Sequence, residues 1–287
     1  MADVSHDSTH AAVYKGLDDR TVEEYVRLKR QHQLSKRGMG NKLVLAPIDL
    51  NKPVRILDVG TGDGLWMSDL AADHPEATLV GTDIKSDHFT NIPNLTPRAS
   101  FEIQSMLEDY PSSWNESFDL AHVRYMLSMC SPDLAGQAVA RLFGVVKPGG
   151  FIQLCEVDLR GWDMGVGHEA FAEYSAVTDK AFTGGNMNPS PVGQLTQWLK
   201  DAGCVDVEER YCEEKLGKAA PTEELNQETI AQIGSMVDNF AHIASLIPNY
   251  FYTPEQFSKL RQAVIRELEE KGNTWRYRVA WGRKPNA

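Results

Sequence analysis

The sequence predicts an α/β fold: a Rossmann-like, seven-stranded, mostly parallel sheet with helices on both faces. Three observations carry this expectation. From Val54 onward, short apolar runs alternate with amphipathic stretches, the pattern of parallel strands buried on both sides. The run Ile56-Leu57-Asp58-Val59-Gly60-Thr61-Gly62-Asp63-Gly64 reads as a buried strand turning into a helix through a glycine-rich loop. Lys147-Pro148-Gly149-Gly150 ends a helix and opens a further apolar run.

Each element has its own signal. Residues 1–18 read as a polar lead-in. Residues 19–37 read as a helix that Asp19 can cap, with Val22, Tyr25 and Val26 on a partial apolar face and Gly38 and Gly40 at its end. Strands are expected at 54–59, 78–83, 100–104, 118–123 and 150–156. A helix over 65–74 is stopped by Pro75. A second over 134–146 carries Leu134, Ala138, Leu142 and Val145 on one face. Beyond the fifth strand come an inserted helix at 168–182, a helix at 192–202 and a sixth strand at 205–216. The stretch 221–271 is mainly helical, and alternation of Trp275, Tyr277, Val279 and Trp281 marks a last strand at 275–281. The expected organisation is one domain: an N-terminal helical cap (1–50), a cofactor-binding α/β core (51–158), and a remainder (159–287). That remainder completes the sheet and supplies substrate-covering helical insertions after strands five and six.

The chain has 287 residues, 29 Lys and Arg against 40 Asp and Glu, and a net charge of −11. With 42% apolar residues it is not a disordered chain. The acidic balance argues against general nucleic-acid binding, which relies on neutralising phosphates. No Asn/Asp-Pro-Pro-aromatic run follows strand four, where Val123-Arg124-Tyr125-Met126 stands instead. The basic stretch 27–37 is expected to be a solvated face balanced by the acidic region 206–228. Cys130, Cys155, Cys204 and Cys212 form no CxxC pair, so neither a disulfide framework nor a metal site is expected. No apolar run approaches a membrane span, and the polar start carries no secretory signal. A cytoplasmic protein without membrane or nucleic-acid partners is expected.

The glycine loop narrows the ligand. A dinucleotide loop calls for G-x-G-x-x-G, but here the spacing is G-x-G-x-G, with Leu65 at the sixth position. Asp58 and Asp63 would repel a pyrophosphate. They suit a cofactor with a cationic centre and an ammonium group, as S-adenosylmethionine has. Asp83 closes the second strand about 20 residues past the glycines, where a carboxylate accepts from both ribose hydroxyls. An NAD-linked oxidoreductase is the weaker alternative.

On these residues the chain resembles class I S-adenosylmethionine-dependent methyltransferases. More closely it resembles the fungal secondary-metabolism methyltransferases, a family that also includes a global regulator. Segments 27–32, 43–48, 81–84, 101–103, 118–124 and 147–150, with Trp66 after the glycine loop, carry the likeness across about residues 14–158. The resemblance implies that Gly60, Thr61 and Gly62 contact the methionine end of the cofactor, beside Asp58. It implies that Asp83 binds ribose, that Ile84 packs on adenine, and that Arg124 offers its backbone to the cofactor's amino group. Many relatives place an acid after strand three; here Gln104-Ser105-Met106-Leu107 stands there, leaving Ser105 and Met106 for adenine.

The expected reaction is methyl transfer to an N or O nucleophile of a small molecule, releasing S-adenosylhomocysteine. His32, His168 and Glu156 are the candidate bases, with Glu156 and Asp158 expected at the pocket rim; His122 reads as a buried sheet residue. Tyr25, Tyr125, Trp162, Phe171 and Tyr174 are candidates for a substrate wall. A cofactor-binding regulatory protein with little catalytic activity is the other reading, and oligomeric state stays open.

Overall fold

The structure is a computed structural model that describes residues 22–85, 97–247 and 249–286, with side chains from Tyr25 onward. The lead-in 1–18, the capping role of Asp19 and the Val22 side chain lie outside the described residues. The chain forms two compact units. One comprises Met39–Val157, Ser190–Cys212 and Tyr277–Ala287; the other comprises Met1–Gly38, Asp158–Pro189 and Glu213–Arg276.

The first unit is built on the sheet. The strands are β1 (Arg55–Val59), β2 (Thr78–Asp83), β3 (Ala99–Ile103), β4 (Phe118–Arg124), β5 (Val146–Val157), β6 (Val205–Leu216) and β7 (Asn273–Arg283), with residues 213–216 of β6 and 273–276 of β7 counted in the other unit. They run in the order β3-β2-β1-β4-β5-β7-β6. β1 pairs in parallel with β2 and β4, β2 with β3, and β4 with β5, whereas β7 is antiparallel to β5. The strand order reverses between β1 and β4. In an open α/β sheet a ligand sits at that reversal, beyond the carboxyl ends of the strands. The loops after β1 and β4 therefore frame the expected site.

Packing explains the helices of this unit. α2 (Leu65–Asp73; α1 belongs to the other unit) buries Trp66, Met67, Leu70 and Ala71. α3 (Pro132–Val145) starts where the Ser131 side chain accepts from Leu134 N–H, and it buries Ala135, Ala138, Val139, Leu142 and Val145. Leu134, expected on that stripe, is exposed, because the buried face is set one position further along. The expected helix at 192–202 is a 3₁₀ turn, Pro191–Gly193, followed by α5 (Leu195–Asp201).

Strand five starts earlier than expected. Lys147 to Gly149 lie within β5 rather than outside it, and the pairing with β4 shifts between Phe118↔Val146 and Leu120↔Phe151. The Pro-Gly-Gly sequence suits such a bulge, and the Lys147 ammonium anchors it on the Asp119 carboxylate at 2.8 Å. Further along the strand, Gln153 is fully buried. Its Oε1 accepts from the N–H groups of Leu45 and Ala46 at 2.6 and 3.0 Å, and its Nε2 donates to the Leu43 carbonyl at 3.0 Å. One carboxamide thus fixes the segment that leads into β1.

The second unit is helical: α1 (Val22–Gly38), α4 (Glu169–Gly184), α6 (Glu223–Ser245) and α7 (Pro254–Glu270). Arg37, expected on a solvated face, is partly buried and bridges Glu214 at 3.1 Å and Glu228 at 3.2 Å. α7 opens with a capping box between Thr253 and Gln256. Glu267 on α7 accepts from the N–H groups of Ala170 and Phe171, capping the start of α4 where His168 supplies no side-chain bond. The interior is aromatic. Trp162 lies 5.1 Å from Phe171, 6.2 Å from Tyr174 and 5.6 Å from Trp275, ring centre to ring centre. Arg276 bonds Asp163, and Asn273 bonds its backbone, locking the Trp162 loop in place. Among the described residues no helix is long and apolar enough to cross a membrane.

Replacing Gln153 with Leu keeps the apolar volume but strands three backbone groups. We expect a loss of about 2–4 kcal/mol, given about 1 kcal/mol net per bond plus the penalty of unmet buried groups. Urea denaturation of Gln153→Leu against the parent protein measures it.

Candidate functional site

The site grows from the glycine loop. Gly60 and Gly62 have φ of +69° and +58°, a region that side chains rarely adopt. A Cβ at Gly60 would stand 2.6 Å from Met126 Cγ, so the loop also needs glycine for close approach. Thr61 N–H donates to the Thr82 carbonyl at 2.9 Å, carrying the β1–β2 ladder into the loop, and Thr61 Oγ1 reaches Met67 Sδ at 3.3 Å. Gly62 N–H donates to Asp83 Oδ2 at 2.9 Å. The strand-tip acid thus braces the loop it faces, while Ile84, next in sequence, leaves its apolar side chain 41% exposed.

Beneath the loop, Asp58 is buried and its Oδ1 lies 2.8 Å from His122 Nδ1. The imidazole stacks on Trp66, with centroids 4.1 Å apart and planes 10° apart. Burial holds the His122 pKa below its usual value, against the opposing pull of Asp58, so the ring is neutral at neutral pH. Asp58 was expected to meet the cofactor directly; the structure gives this oxygen to His122 under the loop. His122 is the buried sheet residue that its place in the sequence suggests.

Other expected contacts are placed as follows. Ser105 Oγ accepts from Leu107 N–H at 3.2 Å and so forms a turn. Met106 is buried in the sheet core with Val59, Val80 and Leu127. Arg124 ends β4, and its guanidinium carbon lies 5.9 Å from the centre of the Tyr125 ring. Tyr125 has φ +59°, a conformation costing of order 1–3 kcal/mol for a side-chain-bearing residue.

Glu156 departs from its expected place at a pocket rim. It lies inside β5, fully buried, and its Oε1 accepts from the N–H groups of Met126 and Leu127 at 2.8 and 2.7 Å. The reason is local: the 3₁₀ turn Leu127–Met129 presents free N–H groups at its start, and a carboxylate satisfies them. Burial pushes the Glu156 pKa up to about 8, and the bonds from Leu127 and Met126 partly offset that rise.

The expected bases and substrate wall fall largely in the helical unit. His32 is buried there, and His168 stands just before α4 with its Nδ1 unpartnered. Trp162, Phe171 and Tyr174 are at most 5% exposed and pack on one another, so the structure makes them core rather than an open wall. Tyr25 is half-buried on α1. Met126 was not anticipated: a methionine after a strand carries no sequence signal, and only the fold brings it onto Gly60. Burial raises the Cys130 thiol to about 12 and also raises that of Cys155, so neither is a thiolate at neutral pH. Among the described residues no group of three His, Cys, Asp or Glu is placed to hold a metal.

The raised Glu156 pKa has a signed consequence. Between pH 4.5, its ordinary value, and about 8, the folded chain keeps a proton that the unfolded chain has released. Its contribution to stability is therefore fully present below the lower value and is lost as pH rises through the upper one. Glu156→Gln does not titrate and should flatten this decline. Chemical denaturation from about pH 5 to about pH 9 reads the two slopes, and equal slopes would contradict the assignment.

Comparison with known proteins follows the same line. A family described as methyltransferase domain matches residues 56–150. The N-methyltransferase tcpN of Claviceps purpurea is 34% identical over 268 residues, spanning 92% of this chain and 95% of its own. The N-methyltransferase gliN of Aspergillus fumigatus is 31% identical, spanning 92% and 94%, and sirN of Leptosphaeria maculans, also an N-methyltransferase, is 33% identical, spanning 90% and 91%. The crystal structure of the cyclase SpnF superposes with a TM-score of 0.52 at 18% identity, over 89% of this chain and 82% of that one, which shows the fold alone. Identity of about a third along nine-tenths of both chains makes this protein a member of the S-adenosylmethionine-dependent methyltransferases, in the group to which those fungal enzymes belong.

Proposed function

We propose that the protein methylates a nitrogen atom of a small secondary-metabolite-type molecule, with S-adenosylmethionine as donor. The observation that carries the choice of nitrogen is that three relatives aligned along nine-tenths of this chain are N-methyltransferases. The residues present fit the cofactor. The loop at Gly60 and Gly62 has no side chains to keep a ligand from its backbone. Asp83 offers a strand-tip carboxylate for ribose hydroxyls, and the exposed face of Ile84 suits a flat base. Arg124, at the tip of β4, offers backbone to the amino-acid end.

Bound there, the cofactor supplies an electrophilic methyl group on a cationic sulfur. The chain's task is then to hold and desolvate an acceptor nitrogen. An amine has its own lone pair and needs no dedicated base before it attacks; orientation alone can supply about 7–11 kcal/mol. Such an acceptor suits a site whose buried histidine, His122, is tied to Asp58 and whose Cys130 thiol stays protonated.

The test pairs binding with turnover. Titration calorimetry with S-adenosylhomocysteine should show binding to the parent protein. Asp83→Ala should bind roughly 10–150-fold more weakly, as expected when bonds to a charged group worth about 1.5–3 kcal/mol are lost. Incubation with the donor and amine-bearing fungal metabolites should yield a product heavier by one methyl group on nitrogen. Firm cofactor binding with stable protein partners and no methylated product would favour a regulatory protein instead.

A further inference from the structure

Three consecutive amides after β4 are held from β5. Tyr125 N–H donates to the Cys155 carbonyl at 2.9 Å, and the next two, Met126 and Leu127, both donate to Glu156 Oε1. Tyr125 has the left-handed backbone noted above, a conformation that persists only where the surroundings over-determine it. The Met126 side chain then closes on Gly60, with Cγ and Sδ where a Cβ at that position would stand 2.6 and 2.7 Å away. Glu156 is fully buried, so water does not compete for these N–H groups.

We propose that Glu156 is a positioning residue for the cofactor: it locks the strained turn at Tyr125, Met126 and Leu127, and through Met126 that turn sets where the Gly60 loop stands. The carboxyl group acts on the loop through the turn. The proposal rests on the methyltransferase reading, because the loop it positions is the cofactor seat. A glutamate that merely filled space would leave the exchange of the Met126 and Leu127 amides unchanged when removed, and its removal would be indifferent to the backbone freedom of Tyr125.

The experiment titrates S-adenosylhomocysteine into the full-length parent protein, Glu156→Ala and Glu156→Gln, each alone and combined with Tyr125→Gly. Hydrogen exchange of the Met126 and Leu127 amides is followed without cofactor. Glu156→Ala should lose roughly tenfold or more in affinity, and its two amides should exchange faster. Glu156→Gln keeps a carbonyl oxygen for both N–H groups, so it should stay within roughly threefold of the parent and keep them protected. In the Tyr125→Gly background, where the left-handed turn is free of strain, the cost of Glu156→Ala should shrink to roughly threefold or less. Parent-like affinity in Glu156→Ala, or a loss in Glu156→Gln as large as in Glu156→Ala, overturns the proposal alone. If Glu156→Ala does not fold, the Gln variant and its amide exchange decide by the same criteria. A parent protein that fails to bind S-adenosylhomocysteine overturns the cofactor seat and the proposal with it.

Discussion

The hydrogen bond from Gly62 N–H to Asp83 Oδ2 is the interaction on which the site depends. A loop of glycines is free to take positive φ but loses more conformational entropy on folding than any other sequence. It needs a partner that holds it in one shape, and a carboxylate at the tip of the neighbouring strand is a strong acceptor for that purpose. The same device recurs along the sheet. Asp58 holds His122 beneath the loop, and Glu156 holds the turn after β4. At the start of β1, Asp119 accepts from Arg55 N–H at 2.7 Å. Acids, buried at Asp58, Asp83 and Glu156 and partly exposed at Asp119, thus fix the ends of the strands, and the strand order that reverses between β1 and β4 decides which of those ends meet a ligand.

The helical unit uses its polar groups in a comparable way. Glu267 supplies the cap that α4 lacks, and Arg37 ties α1 to Glu214 and Glu228. Its aromatic residues form a shared interior around Trp162 rather than separate walls. The indole N–H groups of Trp162 and Trp275 and the carboxamide of Gln232 are buried there without partners. Such groups are costly when buried.

Much of the sheet was legible because buried parallel strands leave short apolar runs that glycine and proline punctuate. The glycine loop and Asp83 were legible for a different reason: few other arrangements of those residue types make chemical sense together. What stayed hidden depended on long-range contact. Trp162, Phe171 and Tyr174 look alike in sequence whether they line a pocket or fill a core. A charged residue ending an apolar strand reads as a rim residue, and only the N–H groups at the start of a 3₁₀ turn show why Glu156 is buried. Gln153 and Met126 carried no signal, since each owes its role to a segment more than 60 positions away.

We propose the loop from Gly60 to Gly64, braced by Asp83, as the cofactor seat. Backbone amide shifts of isotope-labelled protein, followed by NMR as S-adenosylhomocysteine is added, test it most directly. The largest changes are expected at Gly60, Gly62 and Gly64 and at Asp83 and Ile84, with smaller ones at Tyr125, Met126 and Leu127. Saturable binding that leaves the Gly60–Gly64 amides unmoved while shifting others would contradict it.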